Sequence, residues 1–140
     1  MTGFCLGVTS LAWLMIPTPE FTIAWDHSVE KIRWEEDYRV EGNRLHATAA
    51  RVRGFGAGME IPEGAVQHGN AWEYAPRTSF QDRLRLTRSS FTKDYQICWQ
   101  RKCRTLTELL GPAEDGTVVE VYPCREEDTP PELVRQRDDE

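Results

Sequence analysis

A histidine, two glutamates and two arginines lie close enough in this sequence to act together if the chain folds back on itself. Arg51 and Arg53 could hold a small organic anion, because a guanidinium fork matches a carboxylate in two hydrogen bonds. Trp25, Trp34 and Tyr38 would wall such a pocket. His27 and Glu36 could instead serve as the acid–base pair of a hydrolase. His27 and Glu30 offer two metal ligands, but neither His46 nor His68 stands at a completing spacing, so no metal or other cofactor is expected. The segment Gly54-Phe-Gly56-Ala-Gly58-Met59 is superficially a phosphate loop. Pro62 and Gly64 interrupt the helix that such a loop needs behind it. Gly56 and Gly58 therefore point to a bulged turn, or to a close backbone approach to a ligand held by Arg51 and Arg53.

What would position these groups is a set of strands. From Phe21 to Val40 large apolar residues fall on alternate positions, the period at which a strand shows one face. The reading is a strand over about 20–27, a loop at 28–31, a strand over 32–41, a turn at Gly42-Asn43 and a strand over 44–53. These turns set His27 against Ile32, Trp25 against Trp34, Ile23 against Glu36 and Phe21 against Tyr38. They also set Val40 against Leu45, Tyr38 against Ala47, Glu36 against Ala49 and Trp34 against Arg51. Glu36 and Arg51 then share the apolar face as diagonal neighbours, and the expected ion pair follows from that register. Arg33, Glu35, Asp37 and Arg39 fall on the other face as a solvated stripe.

Further short strands fit 83–87, 95–99, 102–106 and 117–122, with one helical turn at Leu106–Gly111. Short strands at close spacing, without a long helical period, predict a single all-β domain: an antiparallel β-sandwich or small barrel over 20–124. Residues 1–19 carry no charge, and Phe4–Ile16 is mostly apolar. As a helix, sixteen residues reach about 24 Å, short of the ~30 Å hydrocarbon core, so the segment is expected to be a hydrophobic leader or uncleaved anchor associating with a membrane, with an ordinary buried first segment as the alternative. Arg125–Glu140 holds seven acids against three arginines, −4 of the net −6, and is expected to be a disordered acidic tail. The rest is near charge balance, with no clustered basic face for nucleic acid.

Cys98 and Cys103 flank Trp99–Lys102, read as a four-residue hairpin loop, where flanking positions are close enough to bridge. A disulfide there implies an oxidising compartment; the alternative is two reduced thiols in a cytosolic hairpin. Nothing pairs Cys5 or Cys124 from sequence.

Three segments carry a family resemblance: Phe21-Thr-Ile-Ala-Trp-Asp-His-Ser-Val-Glu30, Trp34-Glu-Glu36 and Arg51-Val-Arg-Gly-Phe-Gly-Ala-Gly-Met59. Together they resemble a small bacterial family numbered 1850 among domains of unknown function, over about residues 20–110. The resemblance implies an accessory role in solute uptake at the cell envelope, beside tripartite (TRAP) transporters of the TAXI type. The expectation is a non-enzymatic, periplasmic or extracytoplasmic binding protein. Its partner would be the transporter permease, its solute-binding protein, or a small organic anion. A hydrolase using His27 and Glu36, or a purely structural interaction domain, are the alternatives.

Overall fold

The alternation from Phe21 to Val40 does become paired strands. A computed structural model of the chain describes residues 1–8, 11–26, 32–53, 63–76, 79–112 and 114–135. Within them run β1 (Thr2–Val8), β2 (Leu11–Ile16), β3 (Glu20–Asp26), β4 (Arg33–Glu41), β5 (Arg44–Arg53), β6 (Val66–His68) and β7 (Ala71–Tyr74). There follow β8 (Phe80–Gln81), β9 (Leu84–Thr87), β10 (Gln96–Trp99), β11 (Lys102–Thr105), the one-turn helix α1 (Leu106–Leu110) and β12 (Val118–Arg125).

Two open antiparallel sheets form an all-β sandwich. The smaller has the order β2-β1-β12-β9. The larger has the order β11-β10-β3-β4-β5-β7-β6, with β8 also on β5. Inward positions of both make one core. Phe4 and Leu6, Val119 and Val121, and Leu84 and Leu86 meet Phe21, Ile23, Tyr38 and Leu45. The Phe4 ring stacks on Phe21 at 4.2 Å, and Phe21 stacks on Tyr38 at 5.5 Å. Each such side chain contributes roughly 1.5–3 kcal/mol on leaving water, so this stack holds the two sheets together.

The described parts of both terminal segments depart from expectation; residues 136–140 of the acidic segment lie outside the described residues. The stretch read as a leader or anchor is built into the small sheet: β1 lies between β2 and β12, and Phe4 and Leu6 are fully buried. At Gly3 a Cβ would strike the Ile16 carbonyl, so the close β1–β2 approach requires glycine. Among the described residues no helix is long and apolar enough to cross a membrane. The acidic segment, read as disordered, returns over β2 through residue 135. Short 3-10 turns form at Glu126–Asp128 and Pro131–Leu133, Val134 bridges the fully buried Met15, and the Arg135 amide donates to the Met15 carbonyl at 2.8 Å. The Met1 ammonium pairs with Glu127.

All four cysteines are paired. Cys98 and Cys103 sit directly opposite each other on β10 and β11, with Cα atoms 4.0 Å apart. Their hairpin is tighter than the four-residue loop expected: Gln100 and Arg101 alone make the turn, both at positive φ. That conformation costs a non-glycine residue about 1 kcal/mol or more, and the adjacent crosslink holds the strands across it. The second bridge, Cys5–Cys124, ties β1 to β12 with Cα atoms 5.9 Å apart.

Candidate functional site

Strands β3 and β4 pair in the expected register, with Trp25 opposite Trp34, Ile23 opposite Glu36 and Phe21 opposite Tyr38. The Gly42-Asn43 turn sets Val40 opposite Leu45 and Tyr38 opposite Ala47, also as expected, with Gly42 at φ +63°. Then the ladder slips. Asp37 faces Ala49, so Thr48 is an extra residue in β5, a β-bulge. One extra residue turns every later side chain to the opposite face. Beyond it Glu36 faces Ala50, Glu35 faces Arg51, Trp34 faces Val52 and Arg33 faces Arg53. Ala50 and Val52 point into the core, each 1% exposed.

The expected Glu36–Arg51 pair therefore does not form. Arg51 and Arg53 lie on the outer face of the large sheet, whereas Trp34 and Glu36 lie on the inner face. The anion pocket as drawn from sequence is divided by the sheet itself. His27, Glu30, Gly56 and Gly58 lie outside the described residues.

On the outer face the stripe read as solvated is an ion-pair network. Arg51 Nε donates to Glu35 Oε1 at 2.9 Å, while its two Nη groups donate to the Asp37 oxygens at 2.7 and 2.6 Å. Glu35 also accepts from Arg33 Nε at 2.8 Å and Arg53 Nε at 3.1 Å. Thr22 donates its hydroxyl to Asp37 at 2.7 Å, and Arg33 Nη1 donates to Gln96 Oε1 at 2.6 Å. Burial pushes the Glu35 carboxyl up, but hydrogen bonds from Arg33 and Arg51 and the Arg53 charge outweigh it, leaving it below the usual range. Asp37 is likewise lowered, with Arg51 and Thr22 overcoming its burial. A cleft of about 460 Å³ opens beside this network, bordered by Thr22, Asp37, Thr48, Arg51 and Arg101. Its deepest cation, Arg51, is already held by two carboxylates, which repel an incoming anion.

The inner face carries the other half of the constellation. Glu36 is half-buried among aromatic rings. Its Oε1 accepts from the Tyr38 hydroxyl at 2.8 Å. Burial, then the Glu36 charge, raise the Tyr38 hydroxyl far above its ordinary value, so it stays protonated and donating. Tyr74, on β7 beyond small Ala50, is raised in the same way. Trp25 stacks on Trp34 at 6.3 Å and meets Tyr95 at 6.3 Å in a tilted arrangement. Among the described residues the Trp34 Nε1 has no hydrogen-bond partner, and no Lys or Arg lies in ion-pair range of Glu36. The same residues hold no group of three His, Cys, Asp or Glu arranged for a metal.

The family described as Domain of unknown function (DUF1850) matches residues 21–106, more than half of the chain. The chain belongs to this family. No curated protein and no solved structure matches it. The DUF1850 match runs from β3 to the start of α1, so it contains the bulge, both faces built around it, and the Cys98–Cys103 hairpin. Strands β1, β2 and β12, and with them Cys5–Cys124, lie outside it.

Sequence reasoning missed Glu35 and Asp37 as network members and Tyr74 and Tyr95 as neighbours of the inner cleft. A signal for the first was present. Arg33, Arg51 and Arg53 alternate with small or apolar residues in a strand pair whose facing stripe holds Glu35 and Asp37. Charge balance favours matching them on one face, but it is the Thr48 bulge that brings Arg51 and Arg53 there. Tyr95 had no such signal, because it precedes β10 and reaches the cleft only through the tertiary fold.

Proposed function

We propose that this DUF1850 protein is a non-enzymatic binding module of an oxidising compartment. We place it at the cell envelope, periplasmic or extracytoplasmic, as an accessory of a TAXI-type TRAP transporter whose permease or solute-binding protein it contacts. The observation that carries the compartment is the pairing of all four cysteines, one pair joining strands 119 residues apart in sequence. Bridges of that kind persist where thiols are not kept reduced. The transporter part rests on the family likeness. The anion expected at Arg51 is not part of this reading, since Glu35 and Asp37 occupy that guanidinium.

The test is thiol labelling of protein taken directly from its native compartment under denaturing conditions. The expected result is no labelled cysteine until a reductant is added. Four labelled cysteines before reduction would refute the compartment. Crosslinking in native membranes should capture the permease or the solute-binding protein; recovery of neither would refute the transporter role.

A further inference from the structure

The inner cleft holds a half-buried carboxylate, Glu36, beside aromatic side chains. Bordered by Trp25, Glu36, Tyr38, Gln81, Arg85 and Tyr95, it has a volume of about 340 Å³, within the range of small-molecule sites. Among the described residues that border it, the guanidinium is that of Arg85, which pairs with Glu120 at 3.4 Å. Among the described residues Glu36 has the Tyr38 hydroxyl as its hydrogen-bond donor, beside aromatic walls. A ligand bearing the opposite charge would give this carboxylate a partner and offset what its partial burial costs. Ring faces carry negative electrostatic potential and attract a cation, more so where water is displaced. The rings here are not parallel. Of the rings that border the cleft, Tyr95 tilts 51° to Trp25, while Trp34 stacks on Trp25 at 13° from outside the lining.

We propose that this cleft binds a small organic ammonium ion, with Glu36 as its counter-charge and Trp25, Tyr38 and Tyr95 as its walls. An anion would meet Glu36 with like charge. An uncharged ligand would desolvate Glu36 without compensating it. The inference deepens the binding-module reading by naming a ligand class.

The test is titration of the intact oxidised chain, followed by tryptophan fluorescence. The probes are choline, butylammonium, acetate and 3,3-dimethylbutan-1-ol, the uncharged isostere of choline. Expected is a saturable change with at least one ammonium probe, binding at least about tenfold weaker for the isostere, and none for acetate. Glu36→Gln, which retains an acceptor for Tyr38, should weaken ammonium binding by about tenfold or more, and Trp25→Leu should also weaken it. No saturable ammonium response, equal affinity for the isostere, or unchanged affinity in Glu36→Gln would overturn the proposal. If Glu36→Gln fails to fold, the choline–isostere comparison on the unmodified chain decides. Thiol labelling is independent of this titration, so free cysteines would remove the compartment and leave the cleft standing.

Discussion

Removing the Cys5–Cys124 bridge should weaken this protein more than any other single covalent change. The bridge closes a loop of 119 residues, whereas Cys98–Cys103 closes one of 5. In the chain-entropy model a loop of the first length contributes about 5 kcal/mol and the second about 2 kcal/mol. A domain of this size is stable by roughly 5–15 kcal/mol in total, so losing the long bridge removes much of the margin. The perturbation is the paired substitution Cys5→Ala with Cys124→Ala, compared with Cys98→Ser with Cys103→Ser. Urea unfolding followed by tryptophan fluorescence reads both. Cys5 is 2% exposed, and its alanine replacement adds a small cavity cost in the same direction. A larger loss from the short-loop pair than from the long-loop pair would refute the reasoning. So would a long-loop variant as stable as the parent.

Four further outcomes follow from the packing and the network. Among the described residues Arg51→Met leaves Asp37 with Thr22 and Glu35 with Arg33 and Arg53, and should cost about 2 kcal/mol in urea unfolding, below the full cost of a wholly buried pair. Glu35 and Asp37 have carboxyls lowered by folding, so their contribution is fully present above ordinary carboxylate values and is lost as pH falls through the lowered ones. The acid limb of the stability–pH curve should therefore be shallower in Arg51→Met than in the parent. Gly3→Ala drives a Cβ into the Ile16 carbonyl and should cost about 1–3 kcal/mol by the same assay. Thr105→Ala removes the capping box that Thr105 and Glu108 form at the start of α1, and should cost about 1 kcal/mol.

Much of the sheet was legible because its signals are local. Alternation from Phe21 to Val40 and a glycine at a positive-φ turn are enough to pair β3, β4 and the first half of β5. The helical turn at Leu106 carries its own cap and glycine stop. The Thr48 bulge was not legible. It sits in Ala47-Thr48-Ala49-Ala50, where neither glycine nor proline marks a break and small side chains are tolerated on either face. That single residue moved Arg51 and Arg53 across the sheet and with them the whole anion pocket. The N-terminus was misread for a different reason. Strand β1 is covered on both faces, so Phe4, Cys5 and Leu6 are all buried and the alternation that identifies a strand is lost. A doubly buried strand and a leader share the same apolar run. The order of the acidic segment up to residue 135 was not legible, because Val134 finds its partner only once Met15 is in a strand.

Which carboxylate Arg51 serves decides both faces of the sheet at once. Double-mutant cycles on urea unfolding measure it, one pairing Arg51→Met with Asp37→Asn and the other pairing Arg51→Met with Glu36→Gln. The structure predicts a coupling of at least about 1.5 kcal/mol for Arg51 with Asp37, and coupling within about 0.3 kcal/mol of zero for Arg51 with Glu36. Strong coupling of Arg51 to Glu36, with none to Asp37, would put both side chains back on one face and remove the ammonium cleft.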